Sequence, residues 1–236
     1  MVNDYSDEWF LFFLQPIQPN QTKLEIDFIT RNLPQPNYRT VVDLCCGTGR
    51  HSNFLAQSNY DVTGIDINLA ALNQAKKNSG KNITYINLDM RNFSNLYGTF
   101  DAVLNLWQSF GYFDETTNLN VLRQVSEKLN SNGRFVLDIY HQEFFDKHQG
   151  ERQFEKEGVL ITENKLVNGN RLSVTLTYNP HGKTDKFDWQ LYTPTELIES
   201  LKAFDLQCVV ACTNFDETRP PSANNPRVQY VFEKAS

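Results

Sequence analysis

Val41-Val42-Asp43-Leu44-Cys45-Cys46-Gly47-Thr48-Gly49-Arg50 decides the fold: an apolar run holding one acid breaks at a glycine-bearing turn and passes into a helical stretch. Glycines let a backbone approach a ligand closely, and free amides at a helix start favour a carboxylate or phosphate. Outward from this stretch, residues 40–45, 60–66, 83–89, 100–107 and 134–140 read as strands alternating with helical segments. That rhythm builds a doubly wound, mostly parallel α/β sheet with helices on both faces. Before the last of these strands, Leu122, Val125 and Leu129 form one helical stripe, and Asn132-Gly133 supplies the turn.

Residues 1–38 read as an N-terminal helical cap, with segments at 5–14 and 23–33 separated by Pro16 and Pro19. Residues 39–142 form the ligand-binding half, and residues 143–192 an antiparallel β insertion, acting as a lid or as a dimer surface. Within the insertion Asn168-Gly169 signals a hairpin, and Leu172, Val174, Leu176 and Tyr178 alternate with polar residues. Asn179-Pro180-His181-Gly182 turns the chain again, toward a strand with Phe187, Trp189 and Leu191 on one face. Residues 193–236 complete the seven-stranded sheet. A capping box of Thr193, Pro194 and Glu196 opens a helix with Leu197, Ile198, Leu201 and Phe204 on its stripe, and strands near 206–213 and 227–232 follow, the last antiparallel.

At 236 residues the chain suits one core. Its net charge of -6 argues against affinity built on neutralising phosphates, so no nucleic-acid partner is expected. Cys45, Cys46, Cys208 and Cys212 lack the spacing of a metal set, and no metal site is expected. The apolar run from Trp9 to Leu14 is too short to span a bilayer, so a cytoplasmic protein without a membrane partner is expected.

In an open parallel sheet, ligands bind beyond the carboxyl ends of the strands. There Asp66 stands where a carboxylate meets ribose hydroxyls, or alternatively caps the helix starting near Leu69. Asp89 can accept from an adenine amino group while the Met90 amide donates to a ring nitrogen, or it too is a cap. Three adjacent strand ends carrying ligand-competent groups favour a nucleoside ligand. A dinucleotide fingerprint would have a third glycine where Ser52 stands, which disfavours a nicotinamide oxidoreductase.

The ordered segments Asp43 to Gly49, Gly64-Ile65-Asp66 and Leu88-Asp89-Met90-Arg91 resemble the first three motifs of the class I S-adenosylmethionine-dependent methyltransferases. The run Phe100 to Phe113 is similar to the fourth motif of a small-molecule branch that includes amino-sugar N-methyltransferases. Cys45 departs from the pattern, standing where the family's first turn glycine usually lies. The resemblance implies S-adenosyl-L-methionine as methyl donor, S-adenosyl-L-homocysteine as product, and a small-molecule acceptor methylated on nitrogen or oxygen by a monomer or homodimer. It places the methionine part of the cofactor against Cys46, Gly47, Thr48 and Gly49, with Asp43 steering its ammonium. Asp66 and Ile67 would meet the ribose side, Asp89 and Met90 the adenine, and Leu106 and Trp107 the sulfonium. Methylation of RNA or protein, or cofactor binding without turnover, are the rival readings.

Methyl transfer to a neutral amine needs positioning and desolvation rather than a dedicated base, so no catalytic residue is assigned. For an alcohol acceptor His141 is the best-placed base, against a surface or capping role. The acceptor is expected beneath the cap and insertion, among Tyr5, Trp9, Phe110, Tyr112, Tyr140, His141, Trp189 and Arg227.

Overall fold

A computed structural model describes residues 3, 5–180 and 182–236, so that His181 of the second insertion turn lies outside the described residues. Strands β1 (Thr40–Leu44), β2 (Asp61–Asp66), β3 (Ile83–Asn87), β4 (Phe100–Asn105) and β5 (Leu129–Tyr140) pair in parallel, as their buried β-branched runs require. Two further strands, β10 (Leu206–Cys212) and β11 (Arg227–Lys234), extend the sheet, with β11 antiparallel to both β5 and β10. The order β10-β11-β5-β4-β1-β2-β3 reverses direction between β1 and β4, and open α/β sheets bind ligands beyond the carboxyl ends of the strands at such a switch point.

The expected strand at 134–140 begins earlier than its sequence suggests. Residues 129–133 also pair, and the Asn132-Gly133 turn signal is absorbed as an irregularity, with Asn132 at φ 60° and the register slipping between Phe100 and Ala102. One sheet face is filled by Val103, Phe135, Leu137 and Tyr230, together with Leu122 and Val125 of α5 (Glu115–Lys128). The other face packs Val41, Leu104 and Val136 against Phe28 and Ile29 of α2 (Pro19–Asn32) and Leu55 of α3 (Arg50–Gln57). Helix α2 starts at Pro19, ahead of the expected residue 23, because proline fits the first helical position.

The N-terminal segment is a short helix α1 (Asp7–Trp9) running into a π-helical turn, Phe10–Leu14, rather than one α-helix. It docks on a four-stranded antiparallel sheet of β6 (Gly150–Lys156), β7 (Val159–Asn168), β8 (Arg171–Asn179) and β9 (Lys183–Gln190). Leu172, Val174, Leu176 and Tyr178 point inward as their alternation predicts. Strand β6 escaped the sequence reading because Glu151, Arg152, Glu155 and Lys156 mask any apolar alternation, as suits an exposed edge. At the other end of the insertion, the capping box at Thr193 forms as expected and opens α7 (Pro194–Lys202).

Candidate active site

Three acids converge on the turn after β1. Asp43 is buried in β1 and accepts from the Ser52 hydroxyl at 2.6 Å. Asp66, ending β2, accepts from the Gly47 amide at 2.8 Å and the Asn68 amide at 2.7 Å. The cap of α4 (Leu69–Lys77) is supplied by Asn68, whose side chain accepts from Ala71, so the capping alternative for Asp66 gives way. Burial raises the Asp66 carboxyl above its ordinary range, with the two amides pulling the other way. Asp89 does cap the 3-10 turn Met90–Asn95, accepting from the Arg91 amide at 2.9 Å and pairing with its guanidinium. Burial works to raise this carboxyl too, but Arg91 outweighs it and holds Asp89 low.

Between these acids the backbone is unusual. Cys45 lies at φ 67°, the left-handed region, so it adopts the conformation a glycine would take more cheaply. Gly47 (φ 55°) has open space where a Cβ would stand. Gly49 differs, for a Cβ there would lie 2.1 Å from the Tyr85 hydroxyl oxygen. Thr48 between them is half-buried, and Cys46 is buried against Tyr85 and Leu72. At the rim, Ile67 is 65% exposed beside Asp66, while Met90 is buried with its sulfur 3.8 Å from that of Cys45.

The tip of β4 is fixed by two buried carboxylates. Trp107 (φ 57°) and Gln108 (φ 56°) follow the buried Leu106. Glu25 of α2, fully buried, accepts from the Trp107 indole at 2.8 Å, Arg50 at 2.6 Å, Gln21 at 2.8 Å and the His51 ring at 2.8 Å. Although burial alone would raise its carboxyl, His51 and Arg50 bring it down to about 2. Asp138 of β5, likewise buried, accepts from the Trp107 amide, Gln229 and Arg227. The Arg50 and Arg227 guanidiniums each lie 4.9 Å from the Trp107 ring centroid, so the indole is held between two cations.

Five of the expected acceptor residues meet in one aromatic wall. The Tyr5 hydroxyl is hydrogen-bonded to that of Tyr112, and the Tyr5 ring contacts Trp9 at 4.4 Å and Phe187 at 4.9 Å. Trp189 contacts Tyr140 at 5.1 Å and Tyr112 at 6.0 Å, and its indole donates to the Gln108 carbonyl. Burial pushes the Tyr5 and Tyr112 phenols well up and Tyr140 to about 12, so all three stay protonated. Burial pushes the Cys45 thiol well up, and the Asp66, Asp43 and Asp89 charges push it the same way.

The other three stand apart from this wall. Phe110 is in the main core, stacked on Tyr192 at 5.9 Å. Arg227 belongs with Trp107 and Asp138. His141 is only 2% exposed and therefore no surface residue; it occupies the N-cap position of α6 (Gln142–Lys147) without a side-chain capping bond. Its Nδ1 lies 3.0 Å from the Ser222 carbonyl oxygen, and its Nε2 4.0 Å from a Glu143 oxygen. Sequence reasoning missed Glu25 and Asp138. Each is a charge set inside an apolar pattern, Glu25 on the stripe with Thr22, Ile26 and Ile29 and Asp138 within Phe135 to Ile139, and that misfit was the available signal.

Residues 41–133 match the family model described as a methyltransferase domain, and the chain carries the class I, seven-stranded methyltransferase fold that its sheet order defines. The glycine/sarcosine N-methyltransferase of Parasynechococcus marenigrum (strain WH8102) is 29% identical over 143 residues, 58% of this chain and 49% of that protein. The dTDP-3-amino-3,4,6-trideoxy-alpha-D-glucopyranose N,N-dimethyltransferase of Streptomyces venezuelae is 26% identical over 138 residues, 57% of this chain and 56% of that one. This chain spans about half the length of the curated relatives it matches. Among solved structures, an S-adenosylmethionine-dependent methyltransferase from Clostridium acetobutylicum ATCC 824 has a TM-score of 0.81 at 16% identity over 97% of each chain. The sugar N-methyltransferase KedS8 from Streptoalloteichus sp ATCC 53650 reaches 0.75 at 20% identity, covering 100% of this chain and 98% of its own. At such identities the likeness is one of fold. No helix among the described residues is long and apolar enough to cross a membrane.

Proposed function

We propose that this chain is an S-adenosylmethionine-dependent methyltransferase acting on nitrogen in a small molecule. One observation carries the reading: three acids on neighbouring strands surround a turn whose Gly47 leaves open space where a side chain would stand. The residues present fit the donor. Asp66 suits ribose hydroxyls, exposed Ile67 offers an apolar face to a base, and Asp89 and Met90 suit adenine. Toward the methionine end, the Cys46 to Gly49 turn and Asp43 suit the amino acid part. Asn105 adds a buried amide oxygen without a partner at the tip of β4, while its nitrogen donates to the Leu44 carbonyl.

When bound, the donor supplies an activated methyl group on a sulfonium, which the acceptor nitrogen takes in line while the carbon–sulfur pair stays on sulfur. The protein's share is to position and to exclude water. Glu25 and Asp138 fix the Leu106–Trp107 tip, and the aromatic wall closes the acceptor side. Nitrogen is preferred because both relatives described above are named for N-methylation. The test is calorimetric binding of S-adenosylhomocysteine, then homocysteine release with a panel of amines and hydroxylated metabolites. Micromolar binding and turnover on an amine are expected; absence of binding overturns the reading, and binding without turnover leaves a non-catalytic cofactor protein.

A further inference from the structure

Resting on the cofactor reading above, we propose that Tyr85 of β3 is a positioning residue for the methyl donor: its ring sets the path of the Cys46 to Gly49 turn, and its hydroxyl supports Asp43 through Ser52. Three glycines of this region divide by what a side chain would meet at each. At Gly47 a Cβ would stand in open space, the side a ligand can approach. At Gly49 it would lie 2.1 Å from the Tyr85 hydroxyl oxygen and 2.9 Å from the ring carbon that bears it. At Gly64, directly opposite Tyr85 in the β2–β3 register, it would lie 2.5 and 2.6 Å from two ring carbons and 3.0 Å from the Cys46 sulfur. Gly64, unlike Gly49 at φ 77°, lies outside the left-handed region, so crowding by the ring and the sulfur is what excludes a side chain there. Gly49 and Gly64 therefore make room for Tyr85, and Gly47 of the three is open toward a ligand.

The ring has no room to retreat, because it is buried in one cluster with Cys46 and with Leu72 and Ala75 of α4. Close-packed interiors pass such a contact on rather than absorb it. The ring thus ties the turn to β2, the strand whose terminal Asp66 accepts from the Gly47 amide. The hydroxyl carries a second observation. It is buried without a hydrogen-bond partner, and burial pushes the phenol up to about 12, so it keeps its proton and can donate. A buried hydroxyl left unpaired costs stability, so folding alone favours phenylalanine at this position. Ser52, Cys46 and Asp43 are the side chains that act on it. Ser52 gives its own proton to Asp43 at 2.6 Å, which leaves the serine oxygen able to accept. A bond from Tyr85 to Ser52 would complete a chain of donors ending on the carboxylate that suits the ammonium of the donor. That bond is unmade here, so it adds to the donor complex and not to the fold.

Calorimetric titration of S-adenosylhomocysteine into the full chain, with thermal unfolding of the same chains free of ligand, tests both parts. Tyr85→Phe keeps the ring and removes the hydroxyl. Its affinity is expected to fall about fivefold while its unfolding temperature stays at or above that of the wild type, a pairing that a merely structural hydroxyl does not give. Gly64→Ala drives the ring toward the turn and should weaken binding about tenfold. Tyr85→Val removes the ring atoms that meet residue 64 and leaves the Cys46 sulfur space to move into. In that background Gly64→Ala should therefore change affinity by less than about twofold. Unchanged affinity in Tyr85→Phe, or a loss of affinity accompanied by a lower unfolding temperature, overturns the role of the hydroxyl. An equal effect of Gly64→Ala in both backgrounds overturns the role of the ring; if the Tyr85→Val chain does not fold, Tyr85→Phe decides alone. Each of these results leaves the cofactor reading in place, since the wild type still binds. A wild type that does not bind S-adenosylhomocysteine removes that reading, and this inference with it.

Discussion

The glycine turn with its three acids and the aromatic wall facing it are assembled in opposite ways. Around the turn, Asp66 bonds the amide two residues on and Asp89 does the same, so each acid is set largely by its own strand end. The wall joins Tyr5 to Tyr112, 107 positions apart, and Ser6 to Asp185, 179 positions apart. Local geometry of the first kind survives partial opening of the molecule. The second kind exists only while the N-terminal segment is docked, so it opens early in any local unfolding.

Glu25 ties the β4 tip to α2 and to the helix that follows the turn, and its removal is expected to have the largest effect. Glu25→Ala leaves Arg50, His51 and the Trp107 indole without their shared acceptor and should cost about 3 to 5 kcal/mol, read by urea unfolding. The same carboxylate fixes a pH dependence. Its folded value of about 2 lies below the ordinary 4.5, so its contribution is full above pH 4.5 and disappears as pH falls toward 2. The shift corresponds to about 3 kcal/mol. Acid unfolding profiles of the wild type and Glu25→Gln that run parallel through this window would show that the Glu25 charge does not hold the β4 tip.

Asp66→Ala tests the turn alone and should weaken S-adenosylhomocysteine binding by about 1.5 to 3 kcal/mol in calorimetry, the scale of hydrogen bonds to a charged group. Its carboxyl is shifted in the opposite direction to that of Glu25. Burial raises Asp66, so on acidification it takes up a proton before an ordinary carboxylate does, and its contribution to binding declines first. Asp89, held low by Arg91, keeps its charge further down. Cofactor affinity should thus fall in mildly acidic solution in the wild type and stay flat in Asp66→Asn; a fall of equal size in both would assign the effect to another group.

The same contrast explains what could be read from the sequence. Gly47, Gly49, Asp66 and Asp89 announce themselves because strand, turn and acid are neighbours in the chain, and the capping box at Thr193 is legible for that reason. The aromatic wall was legible as a set of residue types but not as a set of contacts, since nothing in the chain distinguishes Phe110, which went to the core, from Tyr112, which went to the wall. Strand β6 was hidden by its charges, and the π-helical turn at Phe10–Leu14 has the same apolar spacing as an α-helix. Glu25 and Asp138 were visible as misfits, yet a misfit names no partner until the fold supplies Trp107.

On the wall itself the expected effect is smaller. Tyr5→Phe removes one hydroxyl and its bond to Tyr112 while keeping the ring against Trp9 and Phe187. The acceptor KM should rise about fivefold, near 1 kcal/mol, with S-adenosylhomocysteine affinity within twofold. If cofactor affinity fell as far as acceptor affinity did, the two regions would not be separable in the way their construction implies.

The smallest effect is expected at Cys45, in the turn itself. Its left-handed backbone at φ 67° costs roughly 1 kcal/mol relative to glycine, so Cys45→Gly relieves strain in the folded turn. Two losses oppose that gain. Glycine raises the entropy of the unfolded chain by about 0.5 to 1 kcal/mol, and the thiol's approach to the Met90 sulfur at 3.8 Å disappears. The terms nearly cancel, and thermal unfolding should place the variant within about 1 kcal/mol of the wild type. Binding separates what stability does not. The substituted turn keeps its path, so S-adenosylhomocysteine affinity should hold. A cofactor affinity reduced more than tenfold would mean that the thiol, and not the backbone it distorts, shapes the floor of the crevice.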